Sequence, residues 1–282
     1  MEKPVFCPGK DYAYNIIHRN ESCNAHIPPH VHDGVELYLS LSPLPDMLLG
    51  NRVVSAEPGT LILIPPFCVH RLFDRTDEPY DRYILSLRAA WLDNLFPREN
   101  EQYSYLQDPE HPLLLFPPVP LLHTMQKTLD ELLAFQGECS FSSIRCLMEF
   151  MSLVDCLVNL NDPANRKKLR ISTTQQTVNE IIHYLDEHIG ESVSLRDLSR
   201  QFTYNPDYIS RIFKKHTNTT VSGYIMLRKM ARARQLLSEG HTVTQVQLMT
   251  GYTSYAHFTR TFREQVGIPP GAYRNSHLNS VH

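Results

Sequence analysis

The sequence predicts an α+β multidomain chain. Its N-terminal half is β-rich and carries a helical pair, and its C-terminal half is all-α with two helix-turn-helix units. Three observations predict this. Short runs of β-branched and aromatic residues, separated by turn residues, recur from Tyr12 to Leu87. From Pro120 onward the apolar positions change to helical spacing. In the second half, the stretch from Tyr204 to Lys214 returns as the stretch from Tyr252 to Arg263. Each copy ends in hydroxyl-Arg-x-Phe-base, and the two arginines, Arg211 and Arg260, lie 49 positions apart. A repeat of this period marks a duplicated supersecondary unit.

Composition narrows the class. At 282 residues the chain is long enough for two domains with separate cores. A composition of 42% hydrophobic and 20% charged residues is ordinary globular material. No stretch reaches the length of a membrane span, since Leu113–Phe116 is short and closed by Pro117-Pro118. Met1-Glu2-Lys3-Pro4 lacks the basic-then-apolar pattern of a signal segment. The cysteines, at 7, 23, 68, 139, 146 and 156, show neither CxxC spacing nor a disulfide framework. A reducing cytoplasm and no membrane partner are therefore expected. The net charge of −3 conceals an asymmetry: residues 1–162 hold 11 Lys and Arg against 22 Asp and Glu, a net of −11, while residues 163–282 hold 16 against 8, a net of +8. An acidic half joined to a basic half fits a nucleic-acid-binding domain attached to one of another kind.

Taken in order, strands are expected at Tyr12–Arg19, Val35–Leu41, Asn51–Ser55, Leu61–Ile64, Val69–Phe73 and Asp81–Leu87, with a return strand near Leu113–Phe116. Gly50-Asn51 is a hairpin signal, and Pro58-Gly59 and Pro65-Pro66 are breakers. Evenly spaced short strands suggest a small barrel or jelly roll over residues 1–118. Trp91 falls in a short helical stretch, Ala89–Phe96, where core packing is its expected role. Residues 119–160 read as two amphipathic helices. One carries Leu122, Met125, Leu129, Leu132 and Leu133 and ends at Gly137; the other carries Ile144, Leu147, Met148, Met151, Val154, Leu157 and Val158. They would cover the barrel, and a spare apolar face could pair two subunits. Residues 161–174 are polar, basic and without apolar period, which reads as a linker.

The all-α part, residues 175–282, begins with a helix capped by Thr173 and striped by Val178, Ile181, Ile182, Leu185 and Ile189. Ser194 with Asp197, and Thr242 with Gln245, are capping boxes that open two short helices, roughly Ser194–Phe202 and Thr242–Thr250. After a tight turn, a second helix starts at Asn205 with Pro206 in its first position, and at Thr253 or Ser254 in the other copy. Ile209, Ile212 and Phe213, and likewise Phe258 and Phe262, make the inner stripe. Between the units, Val221–Ser238 is one long helix whose eighteen residues span roughly 27 Å at the usual rise. Such a strut would hold two recognition helices about one DNA turn, roughly 34 Å, apart.

The stretch Val221–Arg274 resembles the AraC/XylS family of transcription regulators. It shows Tyr224-Ile225, Arg228, Ala231 to Ala233, Leu236-Leu237, Gly251-Tyr252, Phe258, Arg260, Phe262, Gly267, Pro269-Pro270 and Tyr273-Arg274. Gln247 and Thr250 depart from the family's small alanine and its valine, so a looser second unit is expected. The resemblance implies double-stranded DNA as partner, a homodimer formed through the helical pair, RNA polymerase as a further partner, and a small-molecule effector, commonly a sugar or related carbon source. It also implies which residues face DNA. Arg211 can fork onto guanine O6 and N7, with Asp207 and Ser210 beside it and Lys214 and Lys215 placed for phosphates. In the second unit the matching positions are Tyr255, Ala256, His257 and Arg260, with Arg263 for phosphate.

In the β-rich part, His30-Val31-His32 followed by Glu36, then Gly59, Pro65 and His70, resembles the two motifs of cupins, with Ser42-Pro43 in place of the first motif's closing glycine. The resemblance implies a cupin-like barrel whose mouth is lined by His30, His32, Glu36, Tyr38, His70 and Tyr83. In metal-binding cupins His30, His32, Glu36 and His70 would converge on Fe, Mn, Ni or Zn. The bland reading, in which these histidines are hydrogen-bonded polar groups without any cofactor, is the one preferred here. Three functions follow, one of them a regulator that acts constitutively without any effector. Of the others, one is a one-component regulator with no enzymatic activity and one is a metal-dependent cupin enzyme with secondary DNA binding.

Overall fold

The computed structural model describes residues 14–21, 28–73, 78–88, 91–92, 101–135, 140–160 and 173–278. The strands are β1 (Tyr14–Glu21), β2 (Val35–Ser40), β3 (Leu44–Leu49), β4 (Arg52–Ala56), β5 (Leu61–Ile64), β6 (His70–Leu72), β7 (Tyr80–Leu87) and β8 (Leu113–Leu115). They form a five-stranded sheet in the order β1-β7-β2-β5-β8 and a three-stranded sheet in the order β4-β3-β6, antiparallel throughout. Where the sequence suggested a small barrel or jelly roll, the strands form these two sheets, whose ladders do not join among the described residues. The β3 strand was not expected, because Pro45 interrupts its run. Proline survives in sheets at irregularities, and Pro45 sits where the β3–β4 register shifts between Leu44 and Met47.

Alternation along the strands sorts the side chains into layers. Odd positions of β2, β5 and β7 (Leu37, Leu39, Leu61, Leu63, Leu85, Leu87) pack against α1 (Val119–Ala134) and α2 (Phe141–Leu160), joining Met125, Leu129, Leu132, Leu147, Phe150 and Val154. Even positions (Tyr38, Ile62, Ile64, Tyr80, Ile84) meet Met47, Leu49 and Val54 of the three-stranded sheet. Trp91 does pack against the first of these cores. Most of its expected helix, like most of the expected linker and Gly137, lies outside the described residues.

The C-terminal helices are α3 (Thr173–Glu187), α4 (Leu195–Phe202), α5 (Pro206–Thr217), α6 (Val221–Ser238), α7 (Val243–Met249), α8 (Tyr255–Val266) and α9 (Pro270–Leu278). They make two cores. Met230, Ala233, Leu236, Leu237, Val246, Phe258, Phe262 and Tyr273 surround the second helix pair. The first pair's core, with Val178, Ile181, Leu185, Leu198, Ile209, Phe213 and Tyr224, also takes in Leu48, Val53, Val69 and Phe73. Those four come from the three-stranded sheet and the segments beside it, so that sheet's outer face and the first helix-turn-helix share one core.

Polar contacts fix how the sheet and the helices meet. The Val53 amide donates to the Asn179 side chain at 2.7 Å, and Gln175 donates to the Val53 carbonyl at 3.1 Å. Both polar groups of an edge-strand residue are thereby capped by one helix, which also covers the edge. Arg228, 6% exposed, donates to Asp186 and to Glu110, each at 2.7 Å. Arg234 donates to the Val31 carbonyl at 2.8 Å. His277 of α9 meets Asp33 at 3.2 Å.

Replacing Asn179 with alanine strands the Val53 amide. A cost of about 1–3 kcal/mol is expected, read as faster hydrogen exchange at Val53 and a lower unfolding midpoint; unchanged exchange there would refute the edge-capping role. The hydrogen bond to Asp33 raises the His277 imidazole, outweighing burial and the nearby Arg234, while the Tyr273 carbonyl adds to the upward pull. The stability from this contact is fully present below the unfolded histidine value of about 6.5 and is lost as pH rises through the higher folded value. Wild type should therefore lose stability above pH ~6.5 that His277→Gln does not lose, measured by urea unfolding across that range.

Candidate DNA-binding surface and ligand site

Each helix-turn-helix starts from a satisfied cap. The Ser194 hydroxyl accepts from the Asp197 amide while Asp197 accepts from the Ser194 amide, and Thr242 and Gln245 repeat the arrangement. Asn205 caps α5 ahead of Pro206, and Ser254 caps α8. The turns differ. The first passes through Thr203 at φ 56, and the second through Gly251 at φ 71. A Cβ on Gly251 would meet the Gly190 carbonyl oxygen at 2.1 Å, so only glycine lets this turn close against the end of α3.

Burial of Ile209, Ile212 and Phe213, and of Phe258 and Phe262, turns the opposite faces of α5 and α8 outward. Asp207, Arg211, Lys214 and Lys215 are exposed on α5, with Ser210 half-buried; Tyr255, Ala256, His257, Arg260 and Arg263 are exposed on α8. The Arg211 guanidinium lies over the Tyr208 ring, 5.6 Å from its centre. This stacking holds the fork away from the helix surface without occupying its donors. The expected looseness of the second unit is not what the structure shows. Gln247 and Thr250 are both buried; Gln247 donates to the Tyr252 carbonyl, and Thr250 donates to the Val246 carbonyl at 2.7 Å. Their polar atoms are absorbed by the helix end they replace.

The second site lies between the two sheets. His32, Glu36 and His70, with 5%, 2% and 1% exposure, bring one donor atom each within 4.8 Å of one another. Glu36 stands on an even position of β2, and its Oε1 accepts from Ser86 on the neighbouring strand at 3.2 Å. Its Oε2 faces His32 Nε2 at 3.5 Å and His70 Nε2 at 3.4 Å. Burial pushes the Glu36 carboxyl up, but the two histidines outweigh it and hold it well below the ordinary carboxylate range. Each imidazole is oriented from behind: His32 Nδ1 lies 2.9 Å from the Gly34 carbonyl and His70 Nδ1 3.0 Å from the Cys68 carbonyl. A carbonyl can only accept, so both Nδ1 atoms carry a proton, and both Nε2 atoms are turned toward the carboxylate. With neutral rings, two Nε2 lone pairs and a carboxylate oxygen turned on one point fit a cation.

The other expected lining residues divide. Tyr38 is buried on the same side of β2, with burial and then Glu36 raising its phenol well above the usual value. His30 pairs with His70 across an isolated bridge, 4.4 Å between ring centres, but gives its Nδ1 to Pro28 at 3.2 Å and stays outside the cation-facing set. Tyr83 belongs elsewhere. It occupies an odd position of β7 and faces the helical pair, donating to Asp130 of α1 at 2.5 Å and stacking on His18. Its place in the expected pocket fails on strand alternation, one position away from the inter-sheet face. The sequence reading missed Arg71, Asp33, Arg234 and His277. Arg71, 1% exposed, reaches from β6 to Asn218, the left-handed C-cap of α5, whose side-chain oxygen lies 2.7 Å from both terminal guanidinium nitrogens with the amide so oriented. Its one signal in sequence was adjacency to His70.

Comparison with known proteins follows this division. Residues 16–135 match the model of the AraC-like ligand binding domain, and residues 198–276 match that of a helix-turn-helix domain. Over 101 residues the chain is 33% identical to YbfP, an uncharacterized HTH-type transcriptional regulator of Bacillus subtilis (strain 168), covering 36% of this chain and 34% of YbfP. It is 28% identical over 111 residues to the multiple antibiotic resistance protein MarA of Salmonella typhimurium, covering 39% of this chain and 87% of MarA. The chain thus spans about a third of the length of YbfP. Apo ToxT from Vibrio cholerae strain SCE256 aligns over 94% of this chain and 97% of its own at 12% identity and a TM-score of 0.40. Among the described residues no helix is long and apolar enough to cross a membrane. With a ligand-binding model at its N-terminal side and a helix-turn-helix model at its C-terminal side, the chain belongs to the AraC-type family of transcriptional regulators.

Proposed function

We propose that this protein is a cytoplasmic regulator of transcription that binds double-stranded DNA sequence-specifically and is controlled by a small molecule held in its sheet-rich, cupin-like part. One observation carries the reading. Two independently capped helix pairs, set at either end of the α6 strut, each turn an arginine-bearing face to solvent while their inner faces are packed shut. In this reading Arg211, with Asp207 and Ser210, meets base edges in one major groove. Arg260, with Tyr255, Ala256 and His257, meets the next, and Lys214, Lys215 and Arg263 hold phosphates. Phosphate contacts position the protein, and base contacts specify.

The pocket in this reading is the inter-sheet space bounded by His32, Glu36, Tyr38 and His70, with His30 at its rim. A sugar or related carbon source suits its polar lining. The functional unit is a homodimer built on the helical pair. Phe141, 86% exposed, and the exposed Ile144 and Met148 lie on one face of α2 at helical spacing and support that reading. RNA polymerase is the expected second protein partner of an activator of this kind.

The Arg211→Ala variant should lose about 1–3 kcal/mol of binding to its preferred sequence and relax preference at one base pair. Lys214→Ala should weaken all sequences alike and lower the salt slope by ~1. Fluorescence anisotropy with a selected operator and with random duplex, at several salt concentrations, measures both. Equal losses of Arg211→Ala on the two duplexes would exclude base reading by that residue.

A further inference from the structure

Arg82 is a buried cation that the chain itself leaves without an anion. It stands on β7 with 2% exposure, at an even position, and so faces the space between the two sheets together with Tyr80 and Ile84. Its Nη1 donates to the Tyr80 carbonyl at 3.0 Å, and its guanidinium lies 4.0 Å from the centre of the Tyr80 ring. Among the described residues its Nε has no acceptor, and no ion pair joins it to a carboxylate. The next strand adds a second cation. Arg19 of β1 pairs directly opposite Arg82, and opposed side chains leave the same face of a sheet, where like charges destabilise. Ile17, two positions back on that face, packs with the inter-sheet core. Arg19 meets the exposed Glu21 at 3.4 Å, so two guanidiniums share one carboxylate and one net positive charge is left. On the other side, Glu36 of β2 pairs with Ser86, four residues along β7 from Arg82, which is roughly 13 Å at the usual strand rise. Tyr38 stands midway, opposite Ile84. Burial and then Glu36 raise its phenol, while Arg82 pulls it the other way. The inter-sheet face therefore runs from an acceptor-rich end at His32, Glu36 and His70, past Tyr38, to a cationic end at Arg82 and Arg19.

Taking the inter-sheet space as the ligand pocket, a reading on which this inference rests, we propose that its ligand is a hydroxylated monocarboxylate, a sugar acid rather than a neutral sugar. Arg82 and Arg19 hold its carboxylate, and its hydroxyls donate toward the Glu36 end. Charge selects the acid group. One negative charge neutralises the single positive charge left between Arg19, Arg82 and Glu21, whereas a phosphate ester would bring about 1.5 to 2. The planar fork of a guanidinium matches a carboxylate through two parallel N–H···O bonds, and the free Nε of Arg82 is one of the donors such a pair uses. At the other end Glu36 Oε2 and the facing Nε2 atoms of neutral His32 and His70 accept, so ligand groups placed there must donate, as hydroxyls do. The Tyr38 ring between the two ends supplies an apolar wall for the carbon skeleton. A guanidinium taken out of water without a partner is costly. A ligand that brings the anion relieves that cost, and one that lacks it does not.

Unfolding midpoints, isothermal titration and hydrogen exchange of the full chain are measured with D-glucuronate, D-galacturonate and D-gluconate. The neutral counterparts D-glucose, D-galactose and D-sorbitol, and glucose-6-phosphate, are run beside them. At least one acid should raise the midpoint, slow exchange in β2 and β7, and bind ~10-fold or more tighter than its neutral counterpart. Arg82→Met should abolish that preference. It should also leave the midpoint of the unliganded protein unchanged or higher, because the apolar replacement removes an unpaired charge; an arginine with a merely structural role would lower it. Arg19→Gln, at a half-exposed position where folding is not at risk, should weaken the acid and leave any neutral sugar unaffected. Equal binding of acids and neutral counterparts, a preference for glucose-6-phosphate, or an acid response that survives in both variants overturns the proposal, as does binding of none of the acids. Neutral sugars that slow exchange in β2 and β7 when the acids do not would overturn it and keep the pocket reading. An acid that binds but slows exchange elsewhere would refute the pocket reading itself.

Discussion

The small three-stranded sheet is the constraint on which the remaining structure depends, because it has no solvent face. One side packs on the five-stranded sheet through Met47, Leu49 and Val54; Leu48 and Val53 on the other join the core of the first helix-turn-helix. A strand in such a sheet offers successive residues to two different domains, so every position is committed twice over. A one-residue slip of β6 would drive Arg71 between the sheets and withdraw His70 from Glu36. The edge of β4, which would otherwise present unpaired backbone groups, is closed by Asn179 and Gln175 of α3. The ligand-binding domain and the first DNA-binding unit therefore fold against each other rather than merely being tethered.

Charge placed in that contact sharpens its geometry more than its stability. Arg228 is nearly buried and shared between Asp186 and Glu110, one partner from each side of the interface. Desolvating a guanidinium offsets most of what the ion pairs return, and apolar replacements of the same shape are often as stable. Removing Arg228 is different, since it leaves two carboxylates without their shared cation in a cavity-lined contact. A buried arginine that needs both carboxylates tolerates few alternative dockings of the helices, whereas an apolar contact would tolerate sliding. Arg71 does the same at the end of α5, where the left-handed Asn218 leaves a side-chain amide free to meet it. The cost of these contacts, at the very least, discriminates one relative placement from its neighbours.

Much of the C-terminal half was legible because its signals are local. Capping boxes at Ser194 and Thr242, Pro206 behind Asn205 and the 49-residue repeat all act within a few positions, and α6 runs over the expected Val221–Ser238. Strand positions were legible to within a residue or two wherever glycine or proline marked a turn. β3 was hidden because Pro45 reads as a breaker until the register shift that shelters it is seen. The ligand cluster was legible in residue type but not in membership. Tyr83 fails by one step of strand alternation, and His30 lies outside the three residues whose donor atoms come within 4.8 Å of one another. Asp33 and Arg234 left no trace, and Arg71 only its place beside His70, since no periodicity within one segment reports a partner more than a hundred residues away.

The two DNA-binding units are alike in sequence and unlike in attachment. The first shares its core with the three-stranded sheet; the second is packed around Phe258, Phe262 and Tyr273 with a core of its own. Its contact with the ligand-binding side runs instead through the far part of α6 and through α9, by way of Arg234 and His277 to the loop that carries His32. A change at the inter-sheet cluster therefore reaches the first unit through a packed sheet and the second through two polar contacts. A hydrophobic core resists small displacements, while a pair of half-exposed hydrogen bonds can be made and broken at low cost. Under the proposed control by a small ligand, a shift there would act more easily on the second unit, with the first kept as a fixed reference. What Gln247 and Thr250 change in this second unit is not its tightness, since both are buried and bonded, but the chemistry at the end of α7, where a turn carbonyl and a helix carbonyl are met by side chains.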